Sequence, residues 1–283
     1  MQIPNFAPTP LGYFTALVQS DESFPLLEAA ASIAQDDYPE LDVQQVLGDV
    51  DQLLARARRR FPADAQALHR LRMLNQFFYQ DLNFGSNLNN YYEPDNSYLH
   101  ALLKTRRGIP ISLAVLWLEL AQGLGLKVRG VSFPGHFMVK INLPKGQVLM
   151  DPATGQSLSR EELAERLEPY KRRSGLVDEF DVPLGLYLQP ARGRDIIARM
   201  LRNLKEIHTS AQDWQRVLAV QDRLIILLPD AWSEYRDRGL AHAALGQAAE
   251  ALPDLETYLV RADDALDLDE IGEQVAALRR ALS

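Results

Sequence analysis

The chain reads as an α+β domain reaching to about residue 185, followed by an all-α domain from about residue 191. Three observations carry this reading. "ISLAVLWLELAQGLG" (111–125) is apolar nearly all round, the pattern of a central, buried helix. "LKVRGVSF", "HFMVKINL" and "QVLMDP" follow it as three short strand-like runs. Beyond 191 the pattern is helical again, with small residues at regular spacing.

The lead-in, residues 1–80, is expected to be helical. "PLLEAAASIAQDDY" has apolar residues on one face, and "DVQQVLGDVDQLLARARRRF" repeats Val43, Val46, Leu47, Val50, Leu53 and Leu54 at helical spacing. Asp42 suits an N-cap, and Pro39 separates the two helices. "ALHRLRMLNQFFYQDL" predicts a third helix whose aromatic end, Phe77 to Tyr79, is core material. "NFGSNLNNYYEPDNSY" (83–98) breaks the pattern and predicts an ordered polar loop. It opens the core, residues 81–160. Asn83, Asn87 and Asn96 are its candidate pocket-lining residues. "SYLHALLKT" is a short helix, and "RRGIP" turns the chain.

Pro110 suits the first turn of the central helix, where a missing N–H costs nothing. Gly123 and Gly125 end that helix. "LPKG" (143–146) predicts a hairpin turn between the last two strands. Ser159 with Glu162 forms a capping box that starts the next helix. From 191 to 283 a period of 34 residues fits tetratricopeptide-like helix pairs. Pro229 ends one unit, and Gly239, Gly246 and Ala251 occupy small-residue positions of the next. His208 and His242 then fall on equivalent positions, which reads as a repeat and not as a metal pair.

Composition excludes several function classes. Hydrophobic content of 47% and charged content of 24% are those of an ordinary globular chain. With 30 basic against 38 acidic residues the net charge is -8, which argues against a nucleic-acid partner. The runs "RARRR" (56–60) and "YKRRSG" (170–175) are short and read as solvated helix ends. The absence of cysteine excludes disulfides, thiolate metal sites and thiol catalysis. No signal-peptide pattern or membrane-length apolar run is present, so a cytoplasmic protein without a membrane partner is expected.

A helix start, then "GHFMVK", then "DPATG", laid on helix–strand–strand–strand, resembles the transglutaminase-like (papain-like) core. That resemblance implies a nucleophilic cysteine at the helix start, with His136 and Asp151 as its partners. The turn at 143–146 brings 136 and 151 nearly opposite one another. The pattern Gly-x-Cys-x-x-x-Ala, laid on Gly108 and Ala114, puts Pro110 at the cysteine position. Ser112 is the nearest nucleophilic side chain, but two residues along a helix is a rotation of about 200°. "ASIAQDDYPELD", "YYEPDNSYLHALLKTRRGIPISLAVLWLELAQGLGL", "GVSFPGHFMVKI", "MDPATG" and "RMLRNLKEIH" more closely resemble the SirB1 family, which joins a transglutaminase-like domain to tetratricopeptide-like repeats.

Two functions compete at this level. The leading one is a non-enzymatic binding or adaptor protein with a protein or peptide partner and no cofactor. The rival is a serine-dependent acyl hydrolase or transferase using Ser112, His136 and Asp151. A metal site of His136, Asp151 and His100 lacks any recognisable ligand spacing.

Overall fold

The computed structural model describes residues 9–62, 64–87, 89–90, 92–173, 183–262 and 265–282. Two compact units emerge. The mixed unit comprises Phe24–Ala34 and Glu40–Ile197, and the helical unit comprises the described residues of Met1–Ser23, Gln35–Pro39 and Ala198–Ser283.

The helical unit begins with α1 (Pro10–Leu17), capped by Thr9, whose hydroxyl accepts the Gly12 N–H at 3.1 Å. The mixed unit begins with α2 (Leu26–Ser32), which runs into a 3-10 turn, Ile33–Asp36. Next come α3 (Val43–Arg60), capped by Asp42 as expected, and α4 (Ala67–Asn75). The single helix expected over 67–82 changes character: Gln76–Asp81 is a π-helical turn. The wider turn seats Phe77 and Phe78 together in the core, at 1% and 0% exposure. Hydrophobic spacing does not register such a widening.

Strand β1 (Gly85–Ser86), a 3-10 turn at Pro94–Ser97, α5 (Leu99–Thr105) and β2 (Arg107–Gly108) follow, and β1 pairs in parallel with β2. Helix α6 (Pro110–Gly123) is the centre of the unit, with Trp117 wholly buried. Gly125, at φ +77°, turns the chain into the sheet.

The sheet is antiparallel, in the order β3 (Lys127–Phe133), β4 (His136–Leu143), β5 (Gly146–Met150) and β6 (Ser157–Leu158). Its first three strands and the hairpin at Leu143–Gly146 are the expected ones. One face carries Val131, Phe133, Met138 and Leu149, covered by Leu163 and Leu167 of α7 (Arg160–Arg173). Leu184 and Tyr187 of α8 (Leu184–Tyr187) pack on the same cluster. The α7 capping box is present: Ser159 N–H donates to Glu162 Oε2 at 2.7 Å, and Glu162 N–H donates to Ser159 Oγ at 3.1 Å. The basic run at 170–175 extends beyond the described residues, and within them Arg172 is solvated, with 76% of its side chain exposed.

Helix α9 (Gly193–Ser210) is followed by α10 (Trp214–Leu227), α11 (Trp232–Ala244), α12 (Ala248–Arg261) and α13 (Leu268–Leu282). Helices α10 and α12 start 34 residues apart. The repeat reaches the backbone of the turns. The carbonyls of His208 and His242 each accept an N–H five residues on, from Asp213 and Gln247, both at 2.9 Å. Gln212 and Gly246, again 34 apart, both hold positive φ, at 55° and 73°. Gly239 and Ala251 lie where α11 meets α12. A Cβ on Gly239 would stand 2.7 Å from Leu255 Cγ and 3.1 Å from the Ala251 carbonyl oxygen.

The sequence places residues 1–185 in one domain and 191–283 in the other. The compact units divide between Ile197 and Ala198, and the described N-terminal residues through Ser23 belong with the C-terminal helices. Within that helical unit Arg223 of α10 is fully buried. Its guanidinium pairs with both carboxylate oxygens of Asp36, at 2.6 and 2.7 Å, and lies 4.9 Å from the centre of the Phe14 ring.

Candidate functional site: the His136–Asp151 pair

Strands β3 and β4 are joined by Pro134 and Gly135, with Gly135 at φ +68°, so His136 is the first residue of its strand and pairs with Phe133. Partners in an antiparallel register share a face. His136 therefore stands on the face of Phe133, Val131 and Met138, the one covered by α7. Asp151 follows β5 two residues after Leu149 and returns to the same face. Its Oδ1 is 2.9 Å from His136 Nε2. The expected distance of a hydrogen-bonded pair is met. Nε2 nevertheless has no hydrogen bond of good angular geometry, so the contact is best described as a close polar approach.

Asp151 is also the organiser of the loop that follows. Its Oδ1 accepts the Ala153 N–H at 2.9 Å, its Oδ2 is 3.4 Å from Arg166 Nη1 on α7, and its carbonyl accepts the Gly155 N–H at 2.8 Å. Burial pushes the Asp151 carboxyl up, but His136, the Ala153 N–H and the Arg166 charge together outweigh it and hold the pKa below the ordinary carboxylate value. From the other side, Tyr79 of the π-helical turn donates to the Pro152 carbonyl at 3.0 Å. Burial, then the Asp151 charge, push the Tyr79 phenol far above its usual range. Asn75 ties this loop to the central helix: its Nδ2 donates to the Gly155 carbonyl at 3.2 Å and its Oδ1 accepts from Trp117 Nε1 at 3.1 Å. Arg166, Tyr79 and Asn75 are partners that sequence reasoning missed. Each lies on a helix whose spacing marks it only as amphipathic, and no motif links it to "DPATG".

Ser112 is differently employed. It is fully buried at the third position of α6. Its hydroxyl donates to the Asn96 carbonyl at 2.6 Å and accepts the Ile109 N–H at 3.1 Å, closing the first turn of the helix. Pro110 is the first residue of that helix. The Asn-rich loop is likewise engaged with itself. Asn87 Nδ2 donates to Asn96 Oδ1 at 3.0 Å, Asn96 Nδ2 donates to the Asn90 carbonyl at 2.6 Å, and Asn83, at φ +57°, accepts from Arg107 through its carbonyl. His100 stacks beside Tyr98, with ring centres 6.0 Å apart. Among the described residues no three His, Asp or Glu side chains converge as metal ligands do.

Two cavities lie away from the pair. One of about 560 Å³ sits within the helical unit, lined by Arg202, Lys205, Thr209, Trp214, Val217 and Leu240 among others. At its edge Lys205 bridges Glu234 and Asp237, at 2.6 and 2.7 Å. The other, about 290 Å³, lies in the mixed unit at the C-terminal end of α6, where Arg58 and Arg70 donate to the Gly123 and Leu124 carbonyls at 2.9 and 3.1 Å. Asn83, Asn87 and Asn96 line neither.

A sheet with a His–Asp pair beside a buried central helix, followed by helix pairs of 34-residue period, defines a transglutaminase-like domain joined to tetratricopeptide repeats. The family model of the transglutaminase-like superfamily matches residues 44–202, and a tetratricopeptide-repeat model matches 204–282. A UPF0162 protein of Xylella fastidiosa is 38% identical over 240 residues, covering 84% of each chain. A UPF0162 protein of Pseudomonas aeruginosa is 30% identical over 258 residues, covering 89% of this chain and 90% of that one. UPF0162 protein YchA of Escherichia coli is 27% identical over 257 residues, covering 89% and 91%. The chain belongs to this transglutaminase-like family, the one its motifs resemble. Among solved structures, menin is similar over 88% of this chain and 68% of its own, but at 10% identity and a TM-score of 0.43, too low to define a fold.

Proposed function

We propose that this protein is a non-enzymatic binding or adaptor protein, built on a transglutaminase-like core that has no acyl-transfer nucleophile. The observation that carries the reading is the employment of Ser112. In a chain without cysteine it is the one hydroxyl near the family's nucleophile position, and it is buried and used within the first turn of α6. A nucleophile needs a base aligned on it and a path to substrate. The face that bears His136 is covered by α7, and Asp151 serves the turn that follows it, which supports a structural role for the pair. The helical unit then supplies the binding surface, as stacked helix pairs do. Its groove, lined by Trp214, Val217 and Leu240 together with Arg202 and Lys205, supports an extended peptide segment as occupant. No described helix is long and apolar enough to cross a membrane, and the absence of cysteine suits a cytoplasmic setting.

The test compares two full-length variants in quantitative affinity capture. Leu240→Asp is expected to lose the partners that wild type recovers, while His136→Ala keeps them. Loss with His136→Ala and retention with Leu240→Asp would move binding to the mixed unit. Deleting the C-terminal helices is a poorer test, because α1 and Asp36 are packed on α10 within the same unit.

A further inference from the structure

The cavity of about 560 Å³ in the helical unit is lined by charged as well as apolar side chains, and most of that charge is already committed. Arg202 and Lys205 of α9 both reach Glu234 of α11, whose side chain is only 2% exposed. Arg202 Nε and Lys205 Nζ donate to its two carboxylate oxygens at 2.8 and 2.6 Å. Lys205 also donates to Asp237 at 2.7 Å, and Asp237 accepts from Arg236 at 2.7 Å. The pairing follows the repeat. Arg236 stands 34 residues after Arg202 and donates to Asp267 at 2.7 Å, as Arg202 does to Glu234. These cations serve the packing of one repeat on the next.

Two lining groups have no such role. Glu206, one turn after Arg202 on α9, is exposed, and among the described residues its carboxylate has no hydrogen-bond or ion-pair partner. Trp214, the first residue of α10, is half-buried, and among the described residues no ring or guanidinium packs on it. Trp232, the first residue of α11, differs: Arg261 lies 5.5 Å from its ring centre and the Tyr235 ring 5.6 Å away. An indole face and a carboxylate lining one cavity are the two groups that hold an organic cation, the carboxylate by its charge and the ring by its negative face. The balance of charge agrees. Around the cavity three cations, Arg202, Lys205 and Arg236, face four carboxylates, Glu206, Glu234, Asp237 and Asp267.

We propose that Glu206 and Trp214 form a recognition site for a cationic side chain, so that the occupant of the groove is a basic, partly apolar peptide segment. A Lys or Arg of that segment meets Glu206 and Trp214, and an apolar neighbour covers Val217 and Leu240. The inference rests on the adaptor reading and names the chemistry of its partner. The net charge of -8 on the whole chain favours the same partner at long range. An acidic segment would instead add a further carboxylate to a cluster whose cations are already paired.

The experiment is fluorescence anisotropy, with the full chain titrated into two dye-labelled hexapeptides: Leu-Lys-Leu-Leu-Lys-Leu and its counterpart with Glu in place of Lys. Saturable binding of the basic peptide that weakens with salt is expected, with none of the acidic one. Glu206→Gln should raise Kd for the basic peptide about fivefold, and Trp214→Leu about tenfold. Glu206→Arg should turn the preference toward the acidic peptide. Both Glu206 variants change an exposed side chain and keep the fold. Glu273→Gln removes an exposed carboxylate of α13 that does not line the cavity, and should change Kd less than about twofold. Failure of the basic peptide to saturate, or an equal loss in Glu273→Gln, overturns the site. Preferential binding of the acidic peptide overturns it as well; if capture is still lost in Leu240→Asp, the adaptor reading stands without it.

Discussion

Gly239 is the position where the packing of the repeats can be weighed most directly. It lies inside α11, where glycine costs about 1 kcal/mol relative to alanine. That cost is tolerated because a Cβ there would meet Leu255 Cγ at 2.7 Å and the Ala251 carbonyl at 3.1 Å. The leucine tip can yield a little, but the carbonyl belongs to the backbone of α12 and cannot. Overpacking of this kind costs about 1–3 kcal/mol. Gly239→Ala should therefore cancel its helical gain or lose up to about 2 kcal/mol. Gly239→Leu, with three more carbons to place, should lose about 3 kcal/mol. At about 2–4 °C per kcal/mol for a chain of this size, the leucine variant should melt about 6–12 °C lower. Gly272 supplies the control. It is also inside a helix, α13, and a Cβ there meets nothing within 4 Å. Gly272→Ala should raise the melting temperature by about 2–4 °C. Differential scanning calorimetry of the three variants decides the matter. If Gly239→Ala and Gly272→Ala stabilise equally, the close approach of α11 and α12 is not what keeps residue 239 small.

Further outcomes follow from the same contacts. Gln212→Gly should stabilise by about 0.5–1 kcal/mol in chemical denaturation, since Gln212 holds the positive φ that its repeat counterpart Gly246 adopts without strain. Arg223→Ala should destabilise by about 3 kcal/mol and increase protease cleavage near α1, because it leaves Asp36 without its bidentate partner and Phe14 without its cover. Asp151→Asn should cost about 1–2 kcal/mol at neutral pH. The folded Asp151 pKa lies below its ordinary value of 3.8, so its contribution is complete above that pH and fades as pH falls through the folded value. The gap between wild type and Asp151→Asn should accordingly close in acid, and a gap that stays constant there would contradict the assignment.

Local signals made much of this molecule legible. The apolar run of α6 needs no partner to be read as buried, and the "LPKG" turn fixes the β4–β5 register that brings His136 to Asp151. The Ser159–Glu162 box is visible because both halves of it lie within one turn. What stayed hidden depends on residues distant in sequence. Arg223 and Asp36 are 187 positions apart, and nothing in either neighbourhood announces the pairing that ties the Ile33–Asp36 turn to α10. The asparagines of 83–96 predict a polar loop, but residue type alone does not reveal that the Asn87 and Asn96 amides are spent within it. Ser112 poses the same difficulty: a hydroxyl near a helix start suits a nucleophile or a cap, and only its partners at Asn96 and Ile109 separate the two.

The most direct measurement of the central claim is intact-mass analysis of the full-length protein after exposure to an excess of a serine-reactive fluorophosphonate. With the Ser112 hydroxyl buried and hydrogen-bonded within the first turn of α6, wild type should gain no adduct mass on Ser112. A stoichiometric adduct that disappears in both Ser112→Ala and His136→Ala would contradict the account and make this protein a serine-dependent acyl-transfer enzyme.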